Sequence, residues 1–329
     1  MSALAPTLEA FFTDRLARER QASPHTVAAY RDTFRLLLTF VNRRTRVTPA
    51  KLGFVDLDAV CVGAFLESLE ATRGNSVRTR NARLAAIHAF FRYAAFRHPE
   101  HAALIGRVLA IPPKRIERAV VTFLEPPELE AILAAPDRST SLGRRDHALL
   151  LLAAQTGLRL SELTGLTCGD VHLGAGAHVR CIGKGRKERV TPLTRLTVAV
   201  LRVWLAERDG QPSDPLFAGR ADGRLSSDAV QRLVGKYVAG AARYCPSLRG
   251  RRITPHVLRH TSAMALLRGG VDTSVIALWL GHERVQTTQI YLHADLSLKE
   301  RALARTAPPR TRPGRYRPPD ALLAFLEGL

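Results

Sequence analysis

The stretch RVLAIPPKRIERAVVTFLEPPELEAIL, residues 107–133, breaks the chain in two. Pro112 and Pro113 end any helix that enters them, because proline lacks the backbone N–H and its ring blocks the preceding turn. The basic run KRIER follows, so a linker is expected over residues 108–122. A chain of 329 residues is also too long for one typical hydrophobic core. The pattern predicts a helical domain over 1–107, a second domain over 123–306 and a tail over 307–329.

The first domain reads as helix throughout. Ser23 is placed to cap a helix whose first residue is Pro24, and Val27, Tyr30, Phe34, Leu37 and Val41 form one apolar stripe. A second helix covers VCVGAFLESLEATR. Asn75 or Ser76 caps a third, with Leu84, Ile87, Phe91 and Ala94 facing inward. Arg78, Arg80, Arg83 and Arg92 decorate this third helix, and no acid occurs between Gly74 and Pro99. Those arginines read either as a solvated face or as nucleic-acid contacts.

In the second domain, Asp146–Gln155 reads as a buried helix. The stretch AHVRCIGKGRKERVTPL alternates polar and apolar residues about a Gly-Lys-Gly turn, the pattern of a β-hairpin. Helices are expected near 194–207, 226–242, 256–268, 273–280 and 286–291, with Gly269–Gly270 and Gly281 at C-caps. Trp204 and Trp279 fall on apolar helical faces. The predicted fold is mainly α with a small antiparallel sheet.

Charge narrows the partner. Lys and Arg number 49 against 29 Asp and Glu, a net +20, and the surplus is spread over both halves. Such an excess implies a polyanion, and arginine's planar fork suits phosphate. A hydrophobic content of 46% excludes a largely disordered chain. No apolar run reaches the ~18 residues of a membrane helix. The N-terminus carries acids where a signal peptide would not, so a cytoplasmic protein with no membrane partner is expected. Cys61, Cys168, Cys181 and Cys245 contain no CxxC pair, which argues against a disulfide framework or a zinc site.

Five short pieces of the second domain carry phosphate-seeking groups: TGLRLSEL with Arg159 and Glu162, CIGKGRKERV with Lys184, PHVLRH with His256 and Arg259, LGH with His282, and QTTQIY with Tyr291. Two arginines can grip the non-bridging oxygens of a phosphodiester. A lysine on a turn can protonate a leaving oxygen, histidines can accept a proton or hydrogen-bond phosphoryl oxygens, and a tyrosine oxygen can attack phosphorus. Nothing in that set requires a metal or another cofactor. HVLRH has the i, i+4 histidine spacing of a zinc helix, but Val257 stands where the zincin glutamate belongs, and His260 reads as a buried structural histidine. GKGRK lacks the Ser or Thr of a phosphate-binding Walker loop. Lys187 and Arg189 read as DNA-contacting or solvated.

In this order the boxes resemble those of the tyrosine recombinase, or phage integrase, family, most closely its Xer-type members. The last histidine stands nine residues before the tyrosine. The helical first domain resembles the family's core-binding, SAM-like domain more loosely, and the composition with its basic tail resembles transposon-borne members. The resemblance implies that Arg159 and Arg259 clamp phosphate, Lys184 is the general acid for the 5′-oxygen and His256 accepts a proton. It further makes His282 a phosphoryl hydrogen-bond donor and Tyr291 the nucleophile of a 3′-phosphotyrosyl link, with Glu162 orienting the first box. Double-stranded DNA, a DNA-bound homotetramer and partner recombinases are the implied partners. A type IB topoisomerase-like nicking and closing enzyme, or a non-catalytic DNA-binding regulator, are the alternatives. After Tyr291, a short helix to about Arg305, a basic proline-rich strap and a terminal helix capped by Asp320 are expected, the last docking on its own domain or on a neighbouring protomer.

Overall fold

The computed structural model describes residues 4–116, 121–183, 187–219, 223–282 and 287–294. The expected tail elements and Lys184 lie outside these. The chain divides into two compact units, Met1–Arg118 and Ala119–Leu329. It is mostly helical with one small antiparallel sheet, and none of its described helices is long and apolar enough to cross a membrane.

The first unit contains α1 (Leu4–Ala10), which runs on as π-helical turns over Phe11–Glu19, then α2 (Pro24–Thr45), α3 (Ala59–Arg73), α4 (Val77–Ala95) and α5 (Ala102–Leu109). Side-chain caps fix where these helices begin. Ser23 Oγ accepts from Thr26 N at 3.2 Å, Asp58 Oδ1 from Cys61 N at 2.7 Å, and Ser76 Oγ from Thr79 N at 3.3 Å. Ser76, and not Asn75, therefore starts α4. The stripe on α2 is deepest at Phe34, Leu37 and Val41, while Val27 and Tyr30 are only partly buried. Phe11, Phe34, Phe54, Phe90 and Phe91 fill the centre, with Phe34 and Phe90 edge to face at 5.2 Å.

Not all of the α4 arginines decorate a solvated face. Arg78 and Arg92 are exposed, but Arg80 is buried, with its Nη1 donating to Asn81 Oδ1 at 3.2 Å and its Nε 3.9 Å from Glu70 Oε2. Glu70, on α3, supplies the acid that the α4 sequence lacks. Arg83 is half-buried.

The second unit is built on α6 (Pro126–Ala134), α7 (Ser141–Thr156), α8 (Leu160–Gly165), strands β1 (Val171–His172), β2 (His178–Ile182) and β3 (Glu188–Pro192), then α9 (Arg195–Arg208), α10 (Ser227–Ala241), α11 (Pro255–Arg268), α12 (Thr273–Leu280) and α13 (Gln289–Ala294). The sheet order is β1-β2-β3, antiparallel throughout, with Cys181 opposite Arg189. The run ALLLLAA makes α7 apolar on every side, and α9 and α11 pack against it. Trp204 is buried with its Nε1 donating to Leu216 O at 2.9 Å, and Trp279 donates to Thr156 O at 3.0 Å. All four cysteines are free thiols. The last described helix starts at Gln289, later than its sequence pattern suggests.

Candidate active site

Two helix ends build the site. A helix leaves its last carbonyls without intrahelical partners, at the negative end of its dipole. At the end of α7, Gly157 takes the left-handed conformation (φ 62°), and a Cβ there would lie 2.7 Å from Leu280 Cδ2. Its carbonyl accepts from Arg259 Nη1 at 2.6 Å. At the end of α12, Gly281 is also left-handed (φ 65°), and this terminus supplies two more acceptors. Leu280 O accepts from Arg259 Nη2 at 2.7 Å, and Gly281 O from Arg159 Nη2 at 2.6 Å. Both guanidinium groups are thus fixed by carbonyls that needed donors, and each retains further N–H groups. Arg259 is 3% exposed, and burial, helped by the Arg159 charge, pushes its pKa down to about 10, so it stays protonated at neutral pH.

Glu162 ties the second layer together. Its Oε2 accepts from the Arg159 backbone N–H at 2.7 Å, which caps α8, while Oε1 accepts from Arg159 Nη1 at 2.8 Å. Arg189, on β3, reaches the same carboxylate with Nη1 and Nη2, both at 2.8 Å. Burial alone would raise the Glu162 pKa. The Arg189 hydrogen bonds, the Arg159 N–H and the surrounding positive charge outweigh it and hold the group ionised. Arg189 is therefore not solvated: its side chain is 12% exposed and clasped at both ends of its fork. A Cβ at Gly281 would stand 2.6 Å from Arg189 Nη1, so Gly281 serves that approach as well as its own φ.

The third layer is aromatic. Tyr291 is 1% exposed and packs with Ala263, Met264, Leu267, Ile276 and Leu280. Its hydroxyl lies 3.0 Å from His260 Nδ1, and its ring is nearly parallel to that of His282 at 6.5 Å. His282 Nδ1 is 2.8 Å from Thr288 Oγ1. His256 is exposed, and its ring meets that of His260 edge to face at 4.2 Å. Burial pushes His260 down to about 4, assisted by His256, Arg259 and His282. Burial likewise pushes His282 down to about 4, with Arg259, Arg159 and Arg189 adding to it. Burial raises the Tyr291 hydroxyl to about 12, against a lowering by Arg259. At neutral pH the layer holds neutral imidazoles around a protonated phenol.

Arg159, Glu162, Arg259, His282 and Tyr291 are thus gathered in one place. Lys184 lies outside the described residues; Gly183 N donates to Lys187 O at 2.8 Å on either side of it. Lys187 and Arg78 are exposed, Arg83 half-buried and Arg80 buried. His260, read from the sequence as structural, stands at the tyrosine hydroxyl. Its signal was present in the helical spacing, since positions 256 and 260 share one face.

Residues 122–297 match the phage integrase family, and residues 10–98 match the phage integrase N-terminal SAM-like domain. The y4rC protein of Sinorhizobium fredii, named as an integrase/recombinase, is 58% identical over 328 residues, covering 100% of this chain and 99% of its own. Tyrosine recombinase XerC of Pelobacter propionicus is 34% identical over 298 residues, 87% of this chain and 90% of its own. The crystal structure of XerH site-specific recombinase bound to a palindromic difH substrate, a post-cleavage complex, covers 87% of this chain and 81% of its own at TM-score 0.66 and 23% identity. That last likeness bears on the fold. The chain belongs to the phage integrase family.

Proposed function

We propose that this phage integrase family member is a site-specific recombinase that cuts and rejoins double-stranded DNA through a 3′-phosphotyrosyl link at Tyr291. The observation that carries the reading is the pair of guanidinium groups fixed on helix-terminal carbonyls in the same site as the Tyr291 hydroxyl. Donors that are already oriented stabilise a pentacoordinate phosphorane without reorganising during the reaction. Arg159 and Arg259 take that role, and Glu162 holds Arg159 in place with Arg189 as its counter-charge. Lys184 donates the proton that the departing 5′-oxygen needs.

The histidines follow from their partners. Where the Thr288 hydroxyl donates to Nδ1, 2.8 Å away, neutral His282 carries its hydrogen on Nε2 and can donate it to a phosphoryl oxygen. His256 sits one helical turn from Arg259 and is exposed to an incoming phosphate. Because the tyrosyl ester conserves the energy of the backbone bond, resealing requires no ATP. Exchange between two duplexes calls for four cuts, hence four protomers on DNA, either copies of this chain or partner recombinases. The exposed Arg78 and Lys187, together with half-buried Arg83, are the candidate duplex contacts outside the reacting centre; buried Arg80 is a weaker one.

The test uses a duplex with a nick near the cleavage site, so that the short cut strand diffuses away, and a second experiment with two labelled duplexes. A recombinase leaves a covalent protein–DNA adduct in the first and joins label across duplexes in the second. An adduct without exchange is the result of a nicking and closing enzyme, and no adduct is that of a non-catalytic binder. Either would overturn the reading.

A further inference from the structure

The Tyr291 hydroxyl poses a proton problem. With its pKa raised to about 12, only roughly one molecule in 10⁵ would carry the phenolate at pH 7. A phenol attacking phosphorus therefore needs an acceptor within about 2.6–3.2 Å. Among the described residues, the group at that distance is His260 Nδ1, 3.0 Å from the hydroxyl. His256, the acceptor expected from the sequence, instead presents its ring to His260.

We infer that His260 accepts the Tyr291 proton as the phenolic oxygen attacks phosphorus, an inference that rests on Tyr291 being the nucleophile. The bond formed joins Tyr291 Oη to phosphorus, and the bond broken joins phosphorus to the 5′-oxygen. The phenolic proton passes to His260 Nδ1, and the 5′-oxygen leaves with the proton from Lys184. In resealing, the 5′-hydroxyl attacks phosphorus, its proton returns to the Lys184 amine, the phenolate leaves, and His260 gives its proton back.

The surroundings suit an acceptor. The groups facing His260 are His256 and Arg259 on its own helix, His282 after α12 and Tyr291 on α13. Burial and the neighbouring cation keep the free ring unprotonated, with its lone pair available. A bound phosphate would add negative charge at this spot and favour the imidazolium once it forms. The direction of the pH effect is fixed: cleavage falls as pH drops and the ring takes a proton from solvent, because imidazolium cannot accept another.

The experiment is single-turnover adduct formation on the nicked duplex by the full chain, His260→Asn, and both proteins carrying a fluorinated tyrosine at 291. Asparagine can still receive a hydrogen bond near the Nδ1 position but cannot take the proton. His260→Asn should be slower by ~10²-fold or more, with a rate that climbs with pH through neutrality. The more acidic fluorotyrosine should restore much of that loss while changing the unsubstituted protein little. A His260→Asn rate equal to wild type, or a defect indifferent to the acidity of the phenol, overturns the inference. A wild-type protein that forms no adduct overturns the parent reading itself. Nitrogen NMR of histidine-labelled wild type supplies a readout that needs no variant. An unprotonated Nδ1 on His260 supports the assignment, and a hydrogen there makes the ring a donor and ends it.

Discussion

The arginines of α4 and those of the second unit carry the same charge under opposite constraints. Arg78 and Arg92 stand exposed on one helix, with long side chains free to move. Arg159, Arg189 and Arg259 are each held at two or more atoms, by Glu162 or by the carbonyls of Gly157, Leu280 and Gly281. A loose charge attracts a polyanion from a distance and settles onto it only at the cost of side-chain entropy. A pinned charge has lost that freedom during folding and meets phosphorus already aimed. On the proposed reading, the contrast separates affinity from chemistry within a single residue type.

Salt should show the largest effect of the loose population. With +20 net charge and several phosphates neutralised, duplex binding should weaken by ~10³-fold or more between about 50 and 200 mM salt. A nearly flat response in a filter or fluorescence titration would remove the contrast. The pinned population comes next. Arg159→Ala or Arg259→Ala should slow adduct formation by at least ~10²-fold at saturating DNA, while the salt slope falls by no more than the roughly one unit that any single phosphate contact contributes. Arg259→Ala also strands two buried carbonyls, so stability to thermal unfolding should fall by about 1–3 kcal/mol for each. Arg78→Ala should give the smallest change: the salt slope loses about one unit and the saturated rate stays as it was. If Arg78→Ala slowed the saturated rate as much as Arg259→Ala, position and charge would not be separable in this protein.

Local chemistry was legible in the sequence. Ser23, Ser76 and Gly281 act on their immediate neighbours, so their capping roles can be read from a few residues. The ordered boxes likewise marked Arg159, Arg259, His282 and Tyr291, which fold into one site. Pairings that span elements were not legible. Arg80 reads as surface because its acid, Glu70, lies on another helix. Arg189 reads as DNA-contacting or solvated because Glu162 is 27 positions away. His260 and Tyr291 are 31 apart, and only the packing of α13 on α11 brings the hydroxyl to the ring. Strand β1, of two residues, is too short to leave a period.

The central claim is that the buried tyrosine of this pinned site is the group that takes the DNA. Protease digestion of the trapped adduct, followed by mass mapping of the peptide bearing the nucleotide, tests it directly. The account predicts a single modified residue, Tyr291, and no adduct from Tyr291→Phe, which removes one hydroxyl and should bind duplex nearly as well as wild type. An adduct that survives the substitution, or one mapped to Tyr30, Tyr93, Tyr237 or Tyr244, would contradict it.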